Sequence, residues 1–327
     1  MRILPAALPA LGKIIRRFQQ KSRKMQPINK TTLFLLLTFG ISFTVAGIFY
    51  LLGGQLSSTG GLILATSYMF IPMISVLVVE KIIYREDIRK KLFISFNVNK
   101  WFLVAWLIAP VIVFGSVAIS LLYPGVSYSP GMEGMFDRYK EMLTPEELEQ
   151  MRISIEIMPF HPVWMTLVSG LIAGLTINAV AGFGEELGWR GFLVRQFRDM
   201  SFMKASLLTG IAWGFWHAPL ILMGHNYPQY PVAGVFMMVL FCVLLSPLFL
   251  YITIKSGSVI AASVMHGTLN GTAGISLMLL KGGNDLTTGV TGLAGALSII
   301  IVTGVLFIYD NNISREKIMA NKISENI

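Results

Sequence analysis

Charge is scarce in this chain. Only 13% of its 327 residues are Asp, Glu, Lys or Arg, against 54% hydrophobic, whereas a soluble domain carries about 25% charged residues. Such a chain has too little polar surface to enclose itself in water, which excludes an ordinary soluble globular protein. Cysteine is limited to Cys242, which excludes an intrachain disulfide and a Cys-rich metal cage. No long repeat or low-complexity tract occurs, and no His-Glu-x-x-His, so the usual helical zinc signature is absent. The first long apolar stretch is of full span length, unlike the shorter core of a signal peptide. Met25 stands as an alternative start to Met1.

What the chain has instead is apolar runs. A bilayer core of ~30 Å takes about 20 residues of helix. Candidate spans are Leu33–Leu52, Leu62–Val79, Trp101–Leu122, Pro162–Phe183, Ala205–Met223, Val232–Ile254, Ser258–Leu280 and Gly289–Tyr309. The expected fold is therefore all-α, a polytopic membrane protein with about eight transmembrane helices. Of the 26 Lys and Arg residues, all but Arg138, Lys140, Arg152 and Lys281 fall in segments sharing one side. Positive loops stay cytoplasmic, so the N- and C-termini are expected there. The net charge of +9 thus reflects topology and does not call for a nucleic acid partner.

The expected organisation is a basic cytoplasmic segment over 1–32, a helical membrane domain over 33–309 and a cytoplasmic tail over 310–327. The basic residues between Lys13 and Lys24 read as a positive-inside tail, with an amphipathic lipid-surface segment as the alternative. The one sizeable outer loop, Tyr123–His161, is acidic, and Thr144-Pro145-Glu146-Glu147 predicts a helix start there. His161 and His225 lie at predicted span boundaries, the latter near Tyr227 and Tyr230, which fit an interfacial belt.

Ionisable residues inside membrane helices are costly and mark function by default. Here they cluster in three places: Glu185-Glu186-x-x-x-Arg190, Trp213-x-x-x-His217 and His266-x-x-x-Asn270. Glu186 and Arg190 are i,i+4 neighbours and can pair. Glu185 points about 100° away, toward Trp189, with no arginine partner on its own helix. With Glu186 neutralised by Arg190, Glu185 is left to serve as a general base. His266 and Asn270 offer two donors from one helical face. At a rise of ~1.5 Å per residue, the groups lie roughly 15–22 Å from the nearest cytoplasmic charge, at one depth. Each alone reads as packing between helices. Five polar groups on three helices at one depth read as a site. Glycine pairs at 170/174, 210/214 and 267/271 allow these helices to approach closely.

In this order the three motifs resemble the CPBP intramembrane protease family, which includes type II CAAX prenyl endopeptidases and bacteriocin self-immunity proteins. The resemblance covers a core of about residues 160–280. It departs at Trp213, where the family usually has Phe. The resemblance implies an endopeptidase in which Glu185 and His217 activate a water and His266 and Asn270 hold the oxyanion. Glu186, Arg190 and Trp213 would support them. It also implies a membrane-associated peptide or protein substrate, prenylated or CAAX-like in the best-known branch, and a multi-pass protein of the cell membrane. The expectation is no tightly bound metal. If one binds, it would be Zn²⁺ on Glu185, His217 and His266. The site is expected to be reached from the cytoplasm or laterally from lipid. The alternatives are a non-catalytic immunity or binding protein and a proton- or cation-coupled transporter. A rhomboid-like Gly-x-Ser-Gly and an aspartyl-type Gly-x-Gly-Asp are missing.

Overall fold

A computed structural model describes residues 29–89, 91–140 and 143–327; the basic segment foreseen over 1–32 lies almost wholly outside them. The protein is an all-α polytopic membrane protein. Its helices are α1 (Lys30–Leu51), α2 (Thr59–Ile83), α3 (Lys100–Ser120), α4 (Glu133–Tyr139), α5 (Pro145–Glu156), α6 (Pro162–Leu175) and α7 (Ile177–Gln196). They continue with α8 (Phe202–Trp216), α9 (Ala218–Leu222), α10 (Pro231–Ser256), α11 (Val259–Thr272), α12 (Ile275–Leu279) and α13 (Leu293–Ser314). A two-residue antiparallel ribbon joins β1 (Ser127–Tyr128) to β2 (Leu280–Lys281).

Among the described residues, fewer helices than the expected eight are single, long apolar spans. Five, α1, α2, α3, α10 and α13, are long and apolar enough to cross a bilayer, and the bent pair α6–α7 makes a sixth if counted as one span. The predicted fourth span breaks at Thr176, where the axis turns by 54°, and its second half runs on to Gln196. There the Thr176 hydroxyl bonds back to the Ile172 carbonyl and the backbone leaves helical geometry. The predicted fifth span stops at Trp216, because Pro219 cannot continue the ladder, and α9 carries on beyond it. The predicted seventh is the 14-residue α11.

Although short, α11 is the centre of the bundle. It packs against α3, α6, α7 and α10, while α8 lies along α10. Backbone proximity is what the glycines provide. A Cβ on Gly267 would stand 2.6 Å from the Ala179 nitrogen, and one on Gly170 would stand 2.5 Å from the Gly271 oxygen. Gly210 and Gly214 present the same closeness to Val243 and Val239 of α10. All three glycine pairs therefore sit in helix contacts, as small residues do in membrane bundles.

Direct bonds sort the connecting segments into two ends. At one end Lys30 pairs with Glu80 and Glu86, Arg195 also reaches Glu86, and Ser258 bonds to Ser95. The C-terminal residues join this end, with Asn321 and Ser324 bonded to Phe202 and Arg198. At the other end Asp285 accepts from Arg138 at 2.7 Å and from the Gln229 amide at 2.9 Å. There Tyr227 also donates to the Thr291 carbonyl. The predicted outer helix is present as α5, opened by a capping box between Thr144 and Glu147.

Candidate active site

The two adjacent glutamates diverge. Glu185 and Glu186 end the regular part of α7, and a π-turn over Leu187–Phe192 follows; such turns recur at functional sites. Glu186 stays on the α7 face that meets Arg190 and α11. Its Oε2 lies 3.1 Å from Arg190 Nη1, and its Oε1 lies 2.7 Å from His266 Nδ1. Arg190 is further fixed by a 3.2 Å bond to Ser246 Oγ and lies between the Trp213 and Phe249 rings, 4.3 Å from each centroid. Removing these charges from solvent costs several kcal/mol per ion. The ion pair, the hydroxyl and the two ring faces offset that cost.

Glu185 turns the other way, to α8. Its Oε2 accepts from Trp213 Nε1 at 2.7 Å, and its Oε1 lies 3.8 Å from His266 Nε2. The direction toward Trp189 expected from helical geometry is not taken, since Trp189 packs on Phe34 and Trp216. Glu185, Glu186, Arg190 and His266 are at most 5% exposed, so every contact among them acts in a medium of low dielectric.

His217 owes its orientation to the end of α8. Its amide bonds to the Gly214 carbonyl in a tighter turn, and its ring Nδ1 lies 2.8 Å from the Trp213 carbonyl. A carbonyl only accepts, so Nδ1 carries the hydrogen and Nε2 presents a lone pair. Among the described residues no hydrogen bond joins His217 to Glu185.

Glu185, Trp213, His217, His266 and Asn270 all line one cavity of about 320 Å³. Glu186 and Arg190 stand behind its wall. The four expected catalytic side chains and one supporting residue thus meet, and the other two support from outside. Sequence reasoning missed several participants. Ser246 and Phe249 hold Arg190, Tyr68 lines the cavity while its hydroxyl bonds to the Trp216 carbonyl, and His225 lines it too. These come from other helices and loops, so no spacing within one motif could disclose them. His161, by contrast, caps α6.

Among the described residues no three His, Cys, Asp or Glu side chains form a group able to hold an ion. In Glu185, His217 and His266, both histidine Nδ1 atoms and one Glu185 oxygen are engaged, which leaves the two Nε2 atoms and Glu185 Oε1 as the atoms a Zn²⁺ would use.

One cavity thus brings a buried carboxylate, two histidines and an amide together inside a helical membrane protein. Residues 157–272 match the profile of the type II CAAX prenyl endopeptidase Rce1-like family. All seven residues of the three motifs fall inside that stretch, and the match agrees with their CPBP resemblance. The chain is 30% identical to CAAX prenyl protease 2 of Methanococcus maripaludis over 151 residues. That alignment covers 44% of this chain and 52% of the relative, so the chain spans about half the length of the curated relative it matches.

Proposed function

We propose that the protein is an intramembrane endopeptidase that hydrolyses a peptide bond with an activated water. The observation that carries this reading is the single cavity lined by Glu185, His217, His266 and Asn270. The match of residues 157–272 to the Rce1-like family profile supports it.

In this reading a water between Glu185 and His217 gives its proton to the pair, with the His217 Nε2 lone pair facing the cavity, and its oxygen attacks the scissile carbonyl. The developing oxyanion is met by the Asn270 amide and by His266, which donates from Nε2 in its doubly protonated ring. Glu186 fixes that ring through Nδ1. Collapse of the tetrahedral intermediate expels the amine, which recovers the proton. Removing one donor of this kind costs about 10²–10³ in turnover. No metal enters the scheme.

The substrate is a membrane-associated polypeptide. A prenylated C-terminus is the class that the relative's name suggests, and the Met, Leu and Phe side chains of the cavity wall suit an apolar residue beside the scissile bond. The protein is proposed to lie in the cell membrane with both termini cytoplasmic, its membrane domain over 33–309 and its tail over 310–327.

The test is purified protein in proteoliposomes with fluorescence-quenched peptides, prenylated and unprenylated. Cleavage that falls at least a hundredfold in Asn270→Ala, with unchanged thermal stability, supports the scheme. Cleavage unaffected by Asn270→Ala and His217→Ala contradicts it.

A further inference from the structure

Helices α8 and α13 both pack against α10, and between them α10 floors a groove of about 440 Å³. The groove shares no lining residue with the cavity that holds Glu185. Its walls are apolar, with Met203 and Leu207 from α8, Leu244 from α10 and Ile300 from α13. Met203, Leu207 and Ile300 are exposed, so on these membrane helices the groove faces hydrocarbon.

Two hydroxyls interrupt that lining. A Ser or Thr inside a helix commonly spends its hydroxyl on the carbonyl one turn back, as Ser246, Thr253, Ser263 and Thr268 do. Among the described residues five buried hydroxyls are left without a partner, and two of them, Ser206 and Thr303, line this one groove. Ser206 is only 2% exposed. A buried polar group without a partner is costly and uncommon, so both hydroxyls are donors left for an acceptor that the groove receives.

The rim carries charge of one sign. Lys204 lines the groove, and Lys322 is brought beside the start of α8 by its backbone bridge to Ser201. Both are exposed, and neither ammonium pairs with a carboxylate among the described residues. Of the acids near them in the chain, Asp199 faces Arg198 at 3.7 Å, and Glu325 lines a separate hollow with Lys255. From the rim inward come two cations, two hydroxyl donors and an apolar trough. An anionic phospholipid presents the complementary order of phosphate, ester carbonyls that only accept, and acyl chain.

We infer that this groove is a binding site for an anionic phospholipid. The phosphate meets Lys204 and Lys322, the ester carbonyls accept from Ser206 and Thr303, and one acyl chain lies along Leu244 and Ile300. A zwitterionic lipid offers the same esters and chain but a compensated headgroup, so the lysines select against it. Pro247, also on the groove floor, adjoins Ser246, whose hydroxyl holds Arg190. The bound lipid therefore braces the turn of α10 that supports the candidate active site.

Native mass spectrometry on the full chain, purified in detergent and stripped of lipid, gives the test. Palmitoyl-oleoyl phosphatidylglycerol is titrated against phosphatidylcholine with the same chains. Phosphatidylglycerol should bind about tenfold more tightly, as two lysines near a phosphate allow. Lys204→Gln with Lys322→Gln, on the exposed rim where packing is undisturbed, should remove that preference and leave phosphatidylcholine binding unchanged. Ser206→Ala with Thr303→Val should weaken both lipids. A phosphatidylglycerol with a photoreactive acyl chain should crosslink to Met203, Leu207, Leu244 or Ile300. Each variant is first matched to wild type in size-exclusion profile and lipid-free thermal midpoint. Equal affinity for the two lipids, or a preference that survives the double lysine variant, overturns the site. Crosslinks spread evenly over the lipid-facing helices, or displacement of the lipid by equimolar inorganic phosphate, would do the same. Binding is read without turnover, so a protein that holds the lipid but cleaves nothing would sink the protease reading and leave the lipid site standing.

Discussion

The indole N–H of Trp213 donates to Glu185 at 2.7 Å, so the carboxylate proposed as the base is held by a neighbouring helix and not by its own. The same indole forms one face of the slot that holds Arg190, and the carbonyl of the same residue orients His217. One side chain and its backbone thus set three members of the site. A phenylalanine, the residue usual here in CPBP proteins, would keep the ring face and the carbonyl but not the N–H.

Trp213→Phe therefore isolates that hydrogen bond. Hydrogen bonds to charged groups are worth ~1.5–3 kcal/mol, so turnover should fall about ten- to a hundredfold while KM and thermal stability hold. Steady-state kinetics on a cleaved peptide give the answer. An unchanged kcat would show that the bond does not position Glu185.

Arg190 predicts a stability effect. Arg190→Leu leaves Glu186 buried with His266 as its remaining partner, and breaking a buried pair from one side costs about 3–5 kcal/mol. Its midpoint in detergent thermal unfolding should drop well below wild type. Glu186→Gln combined with Arg190→Met, which removes both charges, should recover part of the loss. A single variant as stable as wild type would contradict the pairing.

At the basic end, Lys30, Lys91 and Arg195 hydrogen-bond to Glu86 and hold its carboxyl down from 4.5 to about 2. A depressed folded pKa contributes stability that is fully present above the unfolded value and is lost as pH falls through the folded one. Thermal stability should therefore decline between about pH 4.5 and 2. Glu86→Gln should flatten that decline. The group is partly exposed, so 0.5 M salt should weaken the effect. Identical acid profiles for wild type and Glu86→Gln would refute it.

Chelation separates the glutamate scheme from a metal one. Because the proposed scheme activates water with Glu185 and His217 alone, cleavage should survive phenanthroline and dialysis. Loss of activity restored by added Zn²⁺ would show that the side chains rearrange around an ion.

What the sequence disclosed were local relationships. The Glu186–Arg190 pair, the Thr144 cap and the glycine contacts depend on helical periodicity within a few residues, and each stands where periodicity put it. Glu185 was singled out because it lacks an arginine partner on its own helix. Its true partner, Trp213, lies 28 residues away, and Ser246 lies 56 residues from Arg190. Which side chains meet across such distances is set by helix packing, not by spacing. The breaks within the expected spans were hidden for a related reason. Hydropathy registers apolar residues but not the turn at Thr176 or the stop at Trp216, so two broken elements read as continuous.

The central claim is that Glu185 makes this protein a protease. The direct measurement is N-terminal proteomics on membranes from native cells lacking the protein, complemented with wild type or with Glu185→Gln at matched abundance. The account predicts new peptide termini with wild type that are absent with Glu185→Gln, and those termini would identify the substrate. Matching profiles, with the wild-type phenotype still rescued by Glu185→Gln, would contradict proteolysis and leave a membrane protein that acts by binding.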